Sequence, residues 1–401
     1  MIKKRNIPLG TVNISLKAKQ FIKDILKTGR LSHGKFSKAL EIKFARIHNR
    51  KFAFFTNSGT SALQMAVHTL KELHGWKNGD EIIVPAITFV STPNVILQNN
   101  LKPIFVDVDR NYYNIDAGKI SEKITKKTRA IMPVHMFGLS ANMDEILDIA
   151  KSHKLKTIED SCEAMFVKYK NQPVGSLGDI ACYSTYVAHL LVTGVGGIVA
   201  TNNLEYATVM KSLMNHGRDP IYLNIDDDNN ITDDEDLFRL VDRRFNFVRV
   251  GYNYRLTEFE AALGLAGLGE KDQMLKNRKV NASYLINGLA KFSDFFQLPI
   301  SQPYNEHAFM VFPIVIKSLG IRRNDLILFL EKRGIETRYM MPLVSQPIYK
   351  KLFGNSEKNF PIASWIDKNG FYIPCHQDLS KKDLDYIIFA FESFVKKFIK
   401  E

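Results

Sequence analysis

At 401 residues with 45% hydrophobic composition, the chain can bury a large core and divide into about two domains. Its formal charge of +13 is spread along the sequence with no aromatic-interleaved basic module, which argues against nucleic acid as a partner; a diphosphate-bearing substrate would also favour that field. Cys162, Cys182 and Cys375 are too scattered for a disulfide framework, and no apolar leader or long apolar run marks secretion or membrane spanning, so a reducing cytoplasm is the expected compartment.

From about residue 50 to 200, short β-rich runs alternate with helical stretches, the pattern of a parallel sheet flanked by helices. The predicted strands are KFAFFT (51–56), EIIVPA (81–86), KPIFVDVD (102–109), RAIMPVHMF (129–137), LKTIED (155–160), ACYSTY (181–186) and GGIVAT (196–201). Between the first two lies GTSALQMAVHTLKEL, where Ala62, Leu63, Ala66, Val67 and Leu70 share one helical face and Ser58-Gly59-Thr60 opens the helix. Residues 218–248 interrupt the pattern with a polar, acidic stretch that reads as a long excursion or loop. A long amphipathic helix is predicted near TEFEAALGLAGL, and helices then alternate with strands such as MVFPIVI. The resulting division is a large domain over 1–270 and a smaller one over 271–401.

Three segments carry chemistry. In TNSGTSAL a strand ends in a small-residue turn that opens a helix, and free N–H groups there can seat a phosphate, with the Ser58 and Thr60 hydroxyls as further donors. The same tripeptide is equally a helix cap. In IEDSCEA, Asp160 ends an apolar strand and needs a partner; the pyridinium nitrogen of a vitamin B6 cofactor is one, an ordinary ion pair or cap another. The run GSLGDIACYSTYVAHLLVTGVGGIVATNN then joins two strands through Ser184, His189 and a glycine-rich turn.

In this order the segments resemble the DegT/DnrJ/EryC1/StrS sugar aminotransferase family, a branch of the fold type I B6 enzymes. GRLSHGKFSKALEIKFA, VPAITFVSTPNVI, PVHMFGLSANMDEI, VGYNYRLTEFEAALG, GIETRYMMPLVSQPIY and IPCHQDLS match further family segments collinearly. The resemblance implies a large α/β domain with a seven-stranded, mostly parallel sheet and a smaller C-terminal α+β domain. It also implies that Gly59, Thr60 and Ser184 bind the phosphate of pyridoxal or pyridoxamine phosphate, that Phe89 stacks on its ring and that Asp160 pairs with its ring nitrogen. Glu163 stands where relatives often place glutamine or histidine near the ring hydroxyl. Asn253 resembles an asparagine that reaches the phosphate from a neighbouring subunit, which implies a homodimer with shared active sites.

The sequence departs from the aminotransferase pattern at His189, where the resemblance calls for the lysine that bonds to the cofactor; no lysine lies between Lys170 and Lys211. Imidazole cannot make that bond but can move protons near neutral pH. A subset of the family with this replacement consists of pyridoxamine-dependent nucleotide-sugar 3-dehydratases. By resemblance, His189 is the catalytic base, the 3-hydroxyl of a nucleotide-linked 4-keto-6-deoxyhexose is expelled, the nitrogen leaves as ammonia, and glutamate re-aminates a noncovalent cofactor. Another branch carries an iron–sulfur cluster on four cysteines; three are present here, so the cluster-free branch is expected, without a metal and with Cys162 an ordinary buried thiol. Val187 and Val195 replace the proline and acidic residue usual around the dehydratase histidine. A different reaction with an untethered cofactor, or a non-catalytic sugar-nucleotide binder, therefore stays open.

Overall fold

The structure is a computed structural model and describes residues 5–219, 233–243, 245–302, 304–318 and 320–400. In chain order its strands are β1 (Phe52–Thr56), β2 (Glu81–Pro85), β3 (Lys102–Val106), β4 (Thr128–Ile131), β5 (Lys156–Asp160), β6 (Lys168–Tyr169), β7 (Gln172–Pro173), β8 (Ile180–Ser184), β9 (Gly197–Thr201), β10 (Phe296–Gln297), β11 (Phe312–Ile316), β12 (Arg338–Tyr339) and β13 (Gly370–Ile373). Seven of them form one sheet in the order β1-β9-β8-β5-β4-β2-β3, and these are the seven strands expected from the sequence. Every residue of β2, β8 and β9 is buried, as continuous apolar runs require when helices cover both faces. Six strands run parallel; β9 alone in this sheet is antiparallel to both its neighbours.

That one reversal matters for the site. Because β9 starts where β1 and β8 end, Gly197 is flanked by Thr56 on one side and Ser184 on the other. A Cβ on Gly197 would lie 2.4 Å from the Ser58 carbonyl carbon and oxygen, so only glycine lets β9 begin against the turn after β1. The parallel strands leave their carboxyl ends on one edge of the sheet, the usual ligand-binding edge of open α/β sheets.

A second sheet, β10-β11-β13-β12, is antiparallel throughout and is covered by the helices Lys271–Leu289 and Lys381–Lys400. Its apolar cluster, with Phe296, Phe312, Ile314, Phe371 and Phe391, is distinct from that of the large sheet and takes in Ile7, which bridges to Ile335.

Boundaries differ from expectation where local chemistry intervenes. The predicted strand 129–137 stops at Ile131: Pro133 lacks an N–H, and Phe137 turns into the left-handed region at φ 57° within Met136–Gly138. The run KPIFVDVD leaves the sheet after Val106, and Asp107 accepts hydrogen bonds from the Ile362 and Ala363 N–H groups at the start of another helix. The helix expected near TEFEAALGLAGL ends at Gly267 and a separate helix, Lys271–Leu289, follows. In the acidic excursion, residues 220–232 lie outside the described residues. Part of the remainder is helical, Asp234–Arg243, because the Asp233 carboxylate accepts from the Glu235 and Asp236 N–H groups and three acidic residues fill the first turn.

Candidate functional site

At the end of β5 two adjacent carboxylates point to opposite faces, as strand alternation demands. Glu159 is fully enclosed and accepts from the Gly175, Leu177 and Gly178 N–H groups at 2.9, 2.8 and 2.5 Å. The Arg50 Nη2 lies 3.4 Å away and the His135 Nε2 3.2 Å. His135 Nδ1 accepts from the Ala141 N–H, so Nε2 is the donor to Glu159. Burial alone would push the Glu159 carboxyl up, but His135, Arg50 and the Gly178 N–H together hold it below the ordinary carboxylate range. This cluster locks β5 to the loop before β8 and so fixes the neighbouring Asp160.

Asp160 is also buried, without an ion pair among the described residues. Its Oδ2 accepts from Thr92 Oγ1 at 2.8 Å and its Oδ1 from the Cys162 N–H at 3.2 Å. Burial raises its pKa, against the hydrogen bonds of Cys162 and Thr92 and the nearby His135. A buried carboxylate so placed calls for a cationic partner from outside the chain.

The helix Gly59–Leu73 begins beside it. Ser58 Oγ caps the helix by accepting the Ser61 N–H at 3.0 Å, and the Ser58 carbonyl accepts the Ala62 N–H. Ser61 Oγ donates to Asn57 Oδ1, so in the 2.9 Å Ser58–Ser61 hydroxyl contact the Ser58 proton goes to Ser61. The Ser58 hydroxyl is thus committed to the cap, and an incoming anion would meet the N–H groups ahead of it, at Gly59 and Thr60, and the exposed Thr60 hydroxyl. A Cβ on Gly59 would fall 2.9 Å from Ser184 Cβ and 3.0 Å from Cys162 Sγ. The helix start, the end of β8 and the turn after β5 therefore converge on one cradle.

His189 sits in the loop leaving β8. The loop is closed at its neck by the Thr185 and Thr193 hydroxyls, 2.6 Å apart and both buried, and His189 N–H donates to the Tyr186 carbonyl. The residue is half-buried, while its Nδ1 is fully enclosed without a hydrogen-bond partner. Burial lowers the imidazole pKa to about 4; the Cys162 backbone opposes and Arg278 reinforces the shift. Arg278 is itself enclosed, donating to the Phe309 and Met310 carbonyls.

Glu163 is buried, accepts from the Phe137 N–H at 2.7 Å and has its pKa raised to about 7, chiefly by burial, with Asp160 adding to it. Phe89 is 57% exposed after β2, leaving a ring face open. Asn253 is exposed, accepts from Arg255 Nε at 3.1 Å and lies in a segment bridged to Asn215 and, through Arg255 and Tyr254, to Thr56 and Asn57 just ahead of the helix start. The Cys162 residue as a whole is half-buried, but its thiol is enclosed as expected, burial pushing its pKa up, and it stands close to Gly59 at the cradle.

Sequence reading missed Thr88 and Thr92, the Arg50–Glu159–His135 cluster and Arg278. Glu159 gave a signal, since an acid in an apolar strand needs partners, but Arg50 is 109 residues away. Of the larger concavities, a groove of about 840 Å³ between helix Lys271–Leu289 and the Phe166–Pro173 segment holds none of the predicted site residues. A cavity of about 630 Å³ is lined by Leu190–Val192, just past His189, and by Thr11–Ser15. No helix among the described residues is long and apolar enough to cross a membrane.

Comparison with known proteins bears on this arrangement. The DegT/DnrJ/EryC1/StrS aminotransferase family model matches residues 13–392. The lipopolysaccharide biosynthesis protein RfbH of Salmonella typhimurium is 34% identical over 399 residues, covering 96% of this chain and 91% of that protein. GDP-perosamine synthase of Caulobacter vibrioides is 33% identical over 363 residues, covering 90% of each. The Escherichia coli GDP-4-keto-6-deoxy-D-mannose-3-dehydratase with bound hydrated PLP superposes with a TM-score of 0.87 at 27% identity, covering 97% of this chain and 100% of that one.

Proposed function

Because this chain belongs to the DegT/DnrJ/EryC1/StrS aminotransferase family yet carries His189 where a cofactor-bonding lysine is expected, we propose that it is a B6-dependent nucleotide-sugar 3-dehydratase. The observation that carries this reading is His189 itself, on the latched loop that leaves β8 just past Ser184, with the Cys162 backbone beside its ring. The substrate class is a nucleotide-linked 4-keto-6-deoxyhexose, the amino donor glutamate, the compartment the cytoplasm and the assembly a homodimer. Residues 1–270 act as the cofactor-binding domain and 271–401 as the smaller one.

The residues fit a pyridoxal or pyridoxamine phosphate held without a covalent bond. Gly59, Thr60 and Ser184 hold the phosphate, with Ser58 shaping the helix start and Asn253 of the partner subunit completing the site. Asp160 answers the ring nitrogen, Phe89 covers a ring face and Glu163 stands by the ring hydroxyl. When bound, the group supplies an amine and an electron sink. His189 does the proton transfer: burial keeps the imidazole neutral near pH 7, and the enclosed Nδ1 leaves Nε2 to exchange the proton.

A second reading, amino transfer to the same sugars with an untethered cofactor, is favoured by Val187 and Val195 and by the likeness to GDP-perosamine synthase. Incubating the protein with pyridoxal phosphate, glutamate and guanosine, cytidine or thymidine diphosphate 4-keto-6-deoxyhexoses separates the two. Ammonia release matched by a nucleotide sugar one oxygen lighter is expected. A stable amino sugar overturns dehydration in favour of transfer, and no cofactor absorbance in the wild type leaves only a non-catalytic binder.

A further inference from the structure

Resting on that reading, we propose that Thr88 and Thr92 are positioning residues for the reaction: they form a two-hydroxyl chain whose protons both run toward Asp160 and keep its carboxylate able to pair with the cofactor's ring nitrogen. Thr92 Oγ1 lies 2.8 Å from Asp160 Oδ2, and Thr88 Oγ1 lies 2.8 Å from Thr92 Oγ1. An ionised carboxylate only accepts, so the single Thr92 proton goes to Asp160 and the Thr88 proton must go to Thr92. Both threonines are wholly buried, out of reach of bulk solvent. Such a chain, with its dipoles aligned, strengthens each bond in a low-dielectric interior.

The other carboxylate oxygen is already taken by the Cys162 N–H. The titratable groups facing Asp160 are His135, Cys162, Cys182 and Glu163, and none carries a fixed positive charge. Opposing the desolvation of Asp160 therefore falls largely to neutral donors, of which Thr92 is the one on Oδ2. The pair also brackets Phe89. Thr92 N–H donates to the Phe89 carbonyl and Thr88 N–H to the Met341 carbonyl, while Ile87 bridges to Pro342. One short segment after β2 thus sets both the ring that would cover the cofactor and the donor that would charge its counter-ion.

The experiment follows the pyridine nitrogen directly. ¹⁵N-labelled pyridoxal phosphate is bound to wild type and to Thr92→Val, Thr92→Ser and Thr88→Val, and the ¹⁵N shift is followed with pH. Losing one charge-assisted hydrogen bond should make the Asp160 carboxylate about tenfold more basic, so in Thr92→Val the shared proton moves from the ring nitrogen toward Asp160 and the ¹⁵N shift of the protonated pair moves toward that of an unprotonated ring. Thr88→Val should shift it less in the same direction, and Thr92→Ser should restore the wild-type curve. Turnover should fall in Thr92→Val with KM for the sugar unchanged. If Thr92→Val or, should that variant not fold, Thr88→Val titrates like wild type, the relay is overturned. If wild type itself fails to bind the labelled cofactor, the functional reading fails instead.

Discussion

Replacing Gly59 with alanine puts the cradle under a defined strain. The new methyl would sit 2.9 Å from Ser184 Cβ, 3.3 Å from Ser184 Cα and 3.0 Å from Cys162 Sγ. Carbon atoms pack at about 3.5–4.0 Å, so the overlap with Ser184 is about 0.6 Å or more and involves main chain that β8 holds in place. Since β8 pairs with both β5 and β9, the helix start has to move rather than the strand. Overpacking of this kind costs about 1–3 kcal/mol. A displaced helix start also misaligns its N–H groups with an incoming phosphate, so the pyridoxal phosphate dissociation constant should rise about tenfold or more. Adding Cys162→Ala removes one of the two collisions and should recover part of the stability but less of the binding, because Ser184 still stands in the way. Thermal melts with and without cofactor and a spectrophotometric titration measure both. Wild-type cofactor affinity in Gly59→Ala would refute the placement of the phosphate at this helix start.

Asp160→Asn should lose most turnover and hold the cofactor more weakly, read by steady-state kinetics and cofactor titration; full activity would remove Asp160 from the mechanism. Glu159→Gln leaves Arg50 buried without its carboxylate and should destabilise the fold by about 3–5 kcal/mol in urea titrations. Glu163 gives a pH signature: its carboxyl is raised from 4.5 to about 7 by burial, so the folded state binds the extra proton between those values. Stability of the cofactor-free protein should therefore fall as pH rises from about 4.5 to 7, by about 3 kcal/mol at most, and Glu163→Gln should flatten that slope.

The large sheet was legible because buried parallel strands read as unbroken apolar runs, and EIIVP, IACYS and GIVAT are buried throughout. The direction of β9 was not, since reversing a strand buried on both faces leaves its composition unchanged; yet that reversal sets Gly197 between Thr56 and Ser184. The acidic excursion concealed the helix Asp234–Arg243 because its acids read as solvated loop rather than as a charged first turn. At the site, residues on strand ends and turns could be named from their motifs. Partners separated in sequence could not: Thr92 meets Asp160 across 68 residues and Arg50 meets Glu159 across 109. Ser58 shows the limit of motif reading, because a tripeptide expected to seat a phosphate also caps its helix, and its hydroxyl proton goes to Ser61.

The central claim is that the cofactor is held at His189 without a bond to the chain. Borohydride reduction of the wild type loaded with pyridoxal phosphate, followed by mass analysis, tests it, with His189→Lys as the comparison. The wild-type chain should keep its unmodified mass while His189→Lys gains the reduced cofactor on the peptide containing residue 189. Capture of the cofactor on any lysine of the wild type would contradict the account.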